Sequence, residues 1–101
     1  MSTTFETVRQ AMASRQIVIG VYDGHPREMC PHCLGYGKAG EEMALFYQFG
    51  GTSRSDDVPQ WKCMRLSGLT VTEVRNGPWQ TGTDHGKPQT CVKTIVAEVF
   101  A

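Results

Sequence analysis

The sequence has no surplus of charge, no long apolar run and no second helical pattern, and each absence narrows the class of protein. Ten basic and ten acidic residues cancel over 101 residues, so bulk attraction to nucleic acid or to an anionic membrane is not expected. No apolar stretch approaches the roughly 20 residues of a membrane-spanning helix. The first residues, MSTTFETVRQ, lack the basic and apolar segments of a secretory signal. We therefore expect a soluble cytoplasmic protein that does not engage a membrane.

The hydrophobic periodicity changes only once along the chain. Phe5, Val8 and Met12 share one stripe of a helix predicted over about residues 3–15. From Gln16 onwards, apolar and aromatic residues fall in about six short segments separated by turn residues. These segments read QIVIGVY, HPREMCPHCLGY, EMALFYQF, WKCMRL, LTVTEV and TCVKTIVAEVF. Because strands and helices do not alternate, a doubly wound parallel sheet is disfavoured.

The chain is therefore predicted to be a single domain, 1–101, that is mainly β with one N-terminal α-helix. The favoured architecture is a small antiparallel SH3/Sm-like barrel over about residues 16–100, because closure would hide the edges of the sheet. Pro26 and Pro31 remove backbone donors from the second segment, which predicts an edge strand or a bulged one.

Two of the four cysteines form the short motif CPHC. Such a pair is typical of thiol oxidoreductases and also supplies half of a zinc site. A catalytic pair requires a helix after the first cysteine, which lowers the pKa of its thiol. The glycine-rich LGYGKAGEE that follows does not favour a helix. We therefore interpret Cys30 and Cys33 as free residues of a strand and turn.

A zinc site would require two more ligands beyond this pair. Cys63 and Cys91 are single and lie far apart. His32 could be a third ligand only with a tight turn, and His25 and His85 are the other candidates. We predict neither a metal nor a cofactor. A zinc-stabilised interaction module that uses the CPHC pair remains the alternative.

The strand WKCMRL carries the most informative side chains. Alternation places Trp61, Cys63 and Arg65 on one face, and it points Met64 and Leu66 inward. Trp61 and Arg65 would present an apolar plate beside a cation, a combination that stacks a base or holds an anion. The alternative is that Trp61 packs under the helix and Arg65 pairs with an acid.

Four stretches of the sequence resemble the WYL-like domains of bacteria. They are YDGHPREMCPHCLGYGKAGE, FYQFGG, WKCMRLSGLTV and KTIVAEV. The resemblance implies an Sm/SH3-like barrel that senses a ligand or nucleic acid in transcription regulators. It also implies that Tyr47, Gln48, Trp61 and Arg65 lie on or near the binding strands.

The sequence thus predicts a non-enzymatic sensing domain with a regulatory role and no catalytic residues. Its partner would be a small anionic ligand or a short single-stranded nucleic acid, held by Tyr47, Trp61 and Arg65 with Lys62 and Arg54 nearby. A partner protein is also compatible with the sequence. A strand-rich domain of this size often forms a homodimer through a sheet edge, and the sequence does not indicate which edge.

Overall fold

The computed structural model describes residues 3–51, 60–77, 79 and 92–99, with Gln60 described by its backbone alone. One helix precedes six strands, as the sequence predicted. In chain order the elements are α1 (Thr3–Ser14), β1 (Ile17–Tyr22), β2 (His25–Tyr36), β3 (Glu42–Gly51), β4 (Gln60–Arg65), a 3₁₀ turn (Leu66–Gly68), β5 (Leu69–Arg75) and β6 (Thr94–Glu98).

Helix α1 packs through its predicted apolar stripe. Phe5 and Val8 are fully buried and Met12 nearly so. The helix ends at Ser14, and Arg15 then takes a left-handed conformation with φ of 54°. The backbone N–H of the next residue, Gln16, donates to the carbonyl oxygen of Ala11 at 2.9 Å. In the described part of the chain, no helix has the length and apolarity needed to cross a bilayer.

The sheet is antiparallel throughout and is built around β2. Its strand order is β4-β3-β2-β1-β5, and β6 adds to β2 beside this path. Strands β1 and β2 form a tight hairpin in which Asp23 and Gly24 have φ of 57° and 77°. Two consecutive positive φ angles are typical of the turn that matches strand twist, which is why Asp-Gly predicted this hairpin.

Strand β2 changes partners in its middle, at the position of Pro31. On one side it pairs with β1 up to Met29 and with β6 from Cys33 onwards. A bulge between Pro31 and Cys33 lies opposite β3. The prediction of a bulge is thus confirmed, whereas the edge-strand option is wrong because β2 has neighbours on both sides. A residue without an N–H is tolerated here because the ladder is already interrupted.

The sheet curls until its two outermost strands almost meet. Strands β4 and β5 stand at opposite ends of the strand order, yet a single 3₁₀ turn joins them. The backbone N–H of Arg65 donates to the Tyr22 hydroxyl at 3.3 Å, so β4 also contacts the β1 hairpin. The predicted fold class, mainly β with one N-terminal helix and barrel-like, is confirmed. In the described residues the sheet is not closed into a full barrel.

The core lies between α1 and the concave face of the sheet. Met64 and Leu66 are buried, as predicted from their alternation on the fourth strand. The ring of Phe5 stacks on that of Tyr36 with centroids 5.6 Å apart, which fastens the helix to β2. The remaining members of this core are Val8, Ala11, Met12, Val18, Met29, Leu34, Ala44, Phe46, Leu69 and Val99.

Candidate ligand-binding site

Strands β3 and β4 divide their residues between two faces of the sheet. Ala44, Phe46 and Met64 lie on the core face and are almost fully buried. Because successive side chains point to opposite faces, the residues between them lie on the other face, which we call the β3–β4 outer face. It consists of three cross-strand pairs: Tyr47 with Trp61, Leu45 with Cys63, and Met43 with Arg65.

An aromatic pair occupies one end of this outer face. The ring centroids of Tyr47 and Trp61 lie 5.2 Å apart with an interplanar angle of 62°, an edge-to-face arrangement that favours aromatic contact. Both side chains are half-buried, so each ring keeps part of its surface at the solvent boundary. The two residues are direct partners in a strand ladder, which fixes their spacing through the backbone.

His32 connects this pair to a second tryptophan. Its ring lies 4.9 Å from that of Trp61 and 4.9 Å from that of Trp79, and the residue is only 1% exposed. The guanidinium carbon of Arg15 lies 5.9 Å from the centroid of the Trp79 ring, within cation–π range. Tyr47, Trp61, His32 and Trp79 thus form a continuous aromatic row, in which the buried His32 ring lies between the half-buried rings of Trp61 and Trp79.

The sequence did not indicate that His32 joins an aromatic row. It entered the sequence analysis only as a candidate zinc ligand. The bulge between Pro31 and Cys33 places His32 outside the regular pairing with β3, and simple alternation fails at a bulge. The two prolines gave a signal for the bulge but did not fix its register.

Three of the six predicted binding residues share the β3–β4 outer face. Tyr47 and Trp61 are in contact, and Arg65 is exposed on the same strand as Trp61. Cys63 lies between Trp61 and Arg65. The four residue steps from Trp61 to Arg65 span roughly 13 Å along the strand. Trp61 and Arg65 therefore lie at the two ends of one strip, and the spacing of their backbone positions keeps the two side chains apart.

The other three predicted residues lie elsewhere. Gln48 is fully buried on the core face, where its Oε1 accepts from Arg27 at 3.0 Å and its Nε2 donates to the Gly50 carbonyl oxygen at 3.0 Å. Lys62 pairs with Phe46, also on the core face, and is half-buried. Arg54 lies outside the described residues.

Arg27 is a buried charge that sequence reasoning missed. It is 5% exposed, and its Nε and Nη2 donate to the Tyr22 carbonyl oxygen at 3.3 and 3.2 Å. The Tyr22 ring lies 5.4 Å from the guanidinium carbon. Among the described residues no carboxylate forms an ion pair with Arg27. The available signal was its spacing of two from Met29, which places both residues on the core face.

The CPHC motif lies within strand β2. Cys30 and Cys33 are both buried thiols outside any disulfide, in agreement with the prediction that they are strand residues. Burial raises the pKa of the Cys33 thiol to about 11, with a further contribution from the negative charge of Glu98. A thiol with this pKa stays protonated at neutral pH, and the thiolate is the reactive form. The geometry therefore opposes thiol oxidoreductase chemistry at Cys33.

Metal binding finds little support in the described part of the chain. No group of three or more His, Cys, Asp and Glu side chains there is arranged to hold a metal ion. Cys63 is in a disulfide whose second half lies outside the described residues, so it has no thiolate to offer. This disulfide also departs from the free thiols expected of a cytoplasmic protein.

Comparison of the chain with known proteins identified no relative. No protein-family model matches it, and no significant match was found among curated proteins or solved structures. The resemblance to WYL-like domains accordingly stays a prediction.

Proposed function

We propose that this chain is a non-enzymatic binding domain for a nucleotide-like ligand, which combines a planar base with a phosphate. The observation that supports this proposal is the half-buried aromatic pair of Tyr47 and Trp61 on the β3–β4 outer face. A base that stacks on an aromatic ring gains about 1–3 kcal/mol without any sequence-specific hydrogen bond. Because Tyr47 and Trp61 are paired in the strand ladder, their rings are held in place before a ligand binds. Binding therefore costs less conformational entropy.

Arg65 supplies the cation in this proposal. It is exposed at the far end of the strip that Trp61 begins, and no ion pair forms at its guanidinium among the described residues. Guanidinium groups match the geometry of phosphate oxygens. A ligand that engages both residues must extend along a strip of roughly 13 Å. This length favours a nucleoside polyphosphate or a short single strand over a nucleoside.

The charge of the whole chain bears on how such a ligand would be selected. Formal net charge is zero, so long-range attraction contributes little to binding. Affinity then depends on stacking and on a single phosphate contact. We therefore expect a shallow dependence on salt, because few counterions are released.

Tryptophan fluorescence tests the proposal. The chain has two tryptophans, and Trp79→Phe leaves Trp61 as the reporter. We expect ATP, a dinucleotide and a short oligothymidylate to quench this variant to different extents, since stacking alters the emission of the indole. The three probes separate a free nucleotide from a single strand as the ligand.

Matched substitutions assign the quenching to the outer face. Tyr47→Ala and Arg65→Ala should each weaken binding by roughly tenfold, whereas Arg9→Ala on α1 should leave it unchanged. If none of the three probes quenches Trp61, or if Arg9→Ala weakens binding as much as Arg65→Ala, the proposal is wrong.

We further propose, from the sequence resemblance, that ligand binding is a sensing event of the WYL-like kind. The antiparallel barrel-like sheet with its N-terminal helix supports the fold that this resemblance implies. A sensor must change a surface beyond its ligand site. Hydrogen exchange with and without bound nucleotide should then show altered protection outside β3 and β4. Protection confined to these two strands would indicate binding without sensing.

A further inference from the structure

Strand β6 leaves one of its edges open in the described part of the chain. It pairs with β2 alone, and no other described strand lies along its second edge. Its side chains are mostly exposed, including Ile95 at 48% and Val96 at 47%. Open edges are usually protected by charges or proline, because their free N–H and C=O groups can pair with another chain. Here the middle of the edge is apolar.

A bulge explains why two consecutive apolar residues both face solvent. On β6 the pairing steps from Ala97 to Ile95 while β2 advances by one residue, so Val96 is the additional residue. In a regular strand one of two neighbours would point into the core. The bulge instead turns Ile95 and Val96 outward together, which gives the edge a small apolar surface.

A cleft continues this surface toward the helix. It has a volume of about 350 Å³ and lies between β6 and α1. Met12 and Ala13 supply its apolar wall on the helix, and Val96 and Ala97 supply the wall on the strand. An apolar side chain from a strand placed beside β6 would lie in or near this cleft.

The order of residues along β6 is self-complementary. In an antiparallel pairing of two β6 strands centred between Ile95 and Val96, these two residues lie opposite each other. Lys93 then lies opposite Glu98 of the second copy, and two-fold symmetry repeats the pair at the other end. Both side chains are exposed and neither forms an ion pair among the described residues.

We propose that β6 is a homodimer interface, in which the β6 strands of two copies pair antiparallel across a two-fold axis. The charges favour a second copy as the occupant, since one strand supplies both members of each ion pair. An unrelated strand would have to match Lys93 and Glu98 separately. This interface is independent of the β3–β4 outer face, so it stands or falls apart from the proposed ligand. A five-residue strand buries little surface, and the dimer therefore dissociates on dilution.

Charge reversal tests the pairing directly. Sedimentation velocity over a dilution series measures the dimer dissociation constant of the full chain. Lys93→Glu and Glu98→Lys should each raise this constant by at least about tenfold, because each turns two attractive pairs into repulsive ones. The double variant K93E/E98K restores both pairs and should dimerise like the wild type. Failure of the double variant to recover would overturn the proposed register.

A matched pair of valine substitutions tests the apolar centre. Val96→Lys should abolish dimerisation, whereas Val21→Lys, at an exposed valine on β1 with 37% exposure, should leave it intact. Circular dichroism melting curves identify any variant that has lost its fold. A wild-type chain that sediments as a monomer at every concentration overturns the proposal, as does a dimer that tolerates Val96→Lys.

Discussion

The most unusual residue is Arg27, whose charge is buried against neutral acceptors. Its guanidinium donates to the Tyr22 carbonyl oxygen and to the Oε1 of Gln48. Gln48 is itself fully buried, and its Nε2 donates to the Gly50 carbonyl oxygen. A buried charge costs several kcal/mol unless its donors are satisfied. The network therefore joins the β1–β2 hairpin to the end of β3, and it is stable only when complete.

Gln48→Leu should destabilise the protein by about 2–3 kcal/mol, because it leaves a buried donor of Arg27 without its acceptor. Urea unfolding measures this change. The double variant R27M/Q48L removes the buried charge together with its partner and should recover part of the loss, although the Tyr22 and Gly50 carbonyl oxygens then lose a donor.

Gln10→Leu on the exposed face of α1 is the matched control for the same chemical change. It should alter the free energy of unfolding by less than about 0.5 kcal/mol. Equal effects of the two substitutions would show that the Arg27 network contributes nothing.

Cys33 makes stability depend on pH in the alkaline range. Burial raises the pKa of its thiol from 9.0 in the unfolded chain to about 11 in the folded one. Between these values the unfolded chain has lost its proton while the folded chain keeps it, so stability falls as pH rises. We expect a loss of up to about 3 kcal/mol by pH 11, and full stability below pH 9.

Urea unfolding at a series of alkaline pH values measures this slope. Cys33→Ala has no titrating group and should flatten the dependence, whatever its effect on stability at neutral pH. A slope that is unchanged in the variant would assign the alkaline loss to other groups.

At the scale of elements, local patterns indicated most strands but not their neighbours. The six apolar segments and the Asp-Gly turn placed the strands close to their observed positions, because alternation and turn chemistry are local. The role of β2 could not be read in this way. Its two prolines suggested an edge, whereas its central place depends on β6, a strand from the far end of the chain. Pairing between distant segments is a tertiary effect that local sequence does not encode.

Gly35 lies in close contact with β6. A Cβ atom there would clash with the Thr94 carbonyl oxygen and would lie 2.9 Å from Cγ1 of Val92. Gly35→Ala should therefore force β6 away from β2 and cost about 3 kcal/mol. Hydrogen exchange measures the separation at the Val99 N–H, which is bonded to the His32 carbonyl oxygen.

Gly40→Ala is the matched control in the turn between β2 and β3. Gly40 has φ of 84° but nothing within 4 Å of its Cβ position, so the substitution should cost only about 1 kcal/mol. If Val99 exchanges equally fast in both variants, the close approach at Gly35 does not hold β6 in place.

At the scale of the whole molecule, the candidate site was predictable in part. Alternation along β4 identified the shared face of Trp61 and Arg65, because this strand is regular there, whereas Tyr47 was placed near them only by the family resemblance. The contact of Trp61 with His32 and the burial of Gln48 on Arg27 depend on a bulge and on tertiary packing. Neither of these contacts produces a periodic pattern in the sequence. The sequence therefore identified the outer face but not the aromatic row behind it.

Removal of metal should leave the molecule unchanged. Among the described residues, no three potential ligands are arranged to hold a metal ion, and on that basis we expect chelation to have no effect on folding. Native mass spectrometry before and after EDTA, together with melting curves, measures this. An unchanged mass and melting temperature are expected. A loss of one zinc mass with a lower melting temperature would instead support the zinc-stabilised module that uses the CPHC pair.

The place of β6 in the sheet also sets an order of assembly. Strands β1 to β4 pair with their neighbours in sequence, whereas β6 must return across the chain to reach β2. Pairings that close long loops form later than local hairpins. Because β6 pairs with β2 alone among the described strands, we expect it to separate before the inner strands do, and Cys33 then loses its partner Glu98. The rate at which a thiol reagent modifies Cys33 would therefore report how often β6 separates from β2.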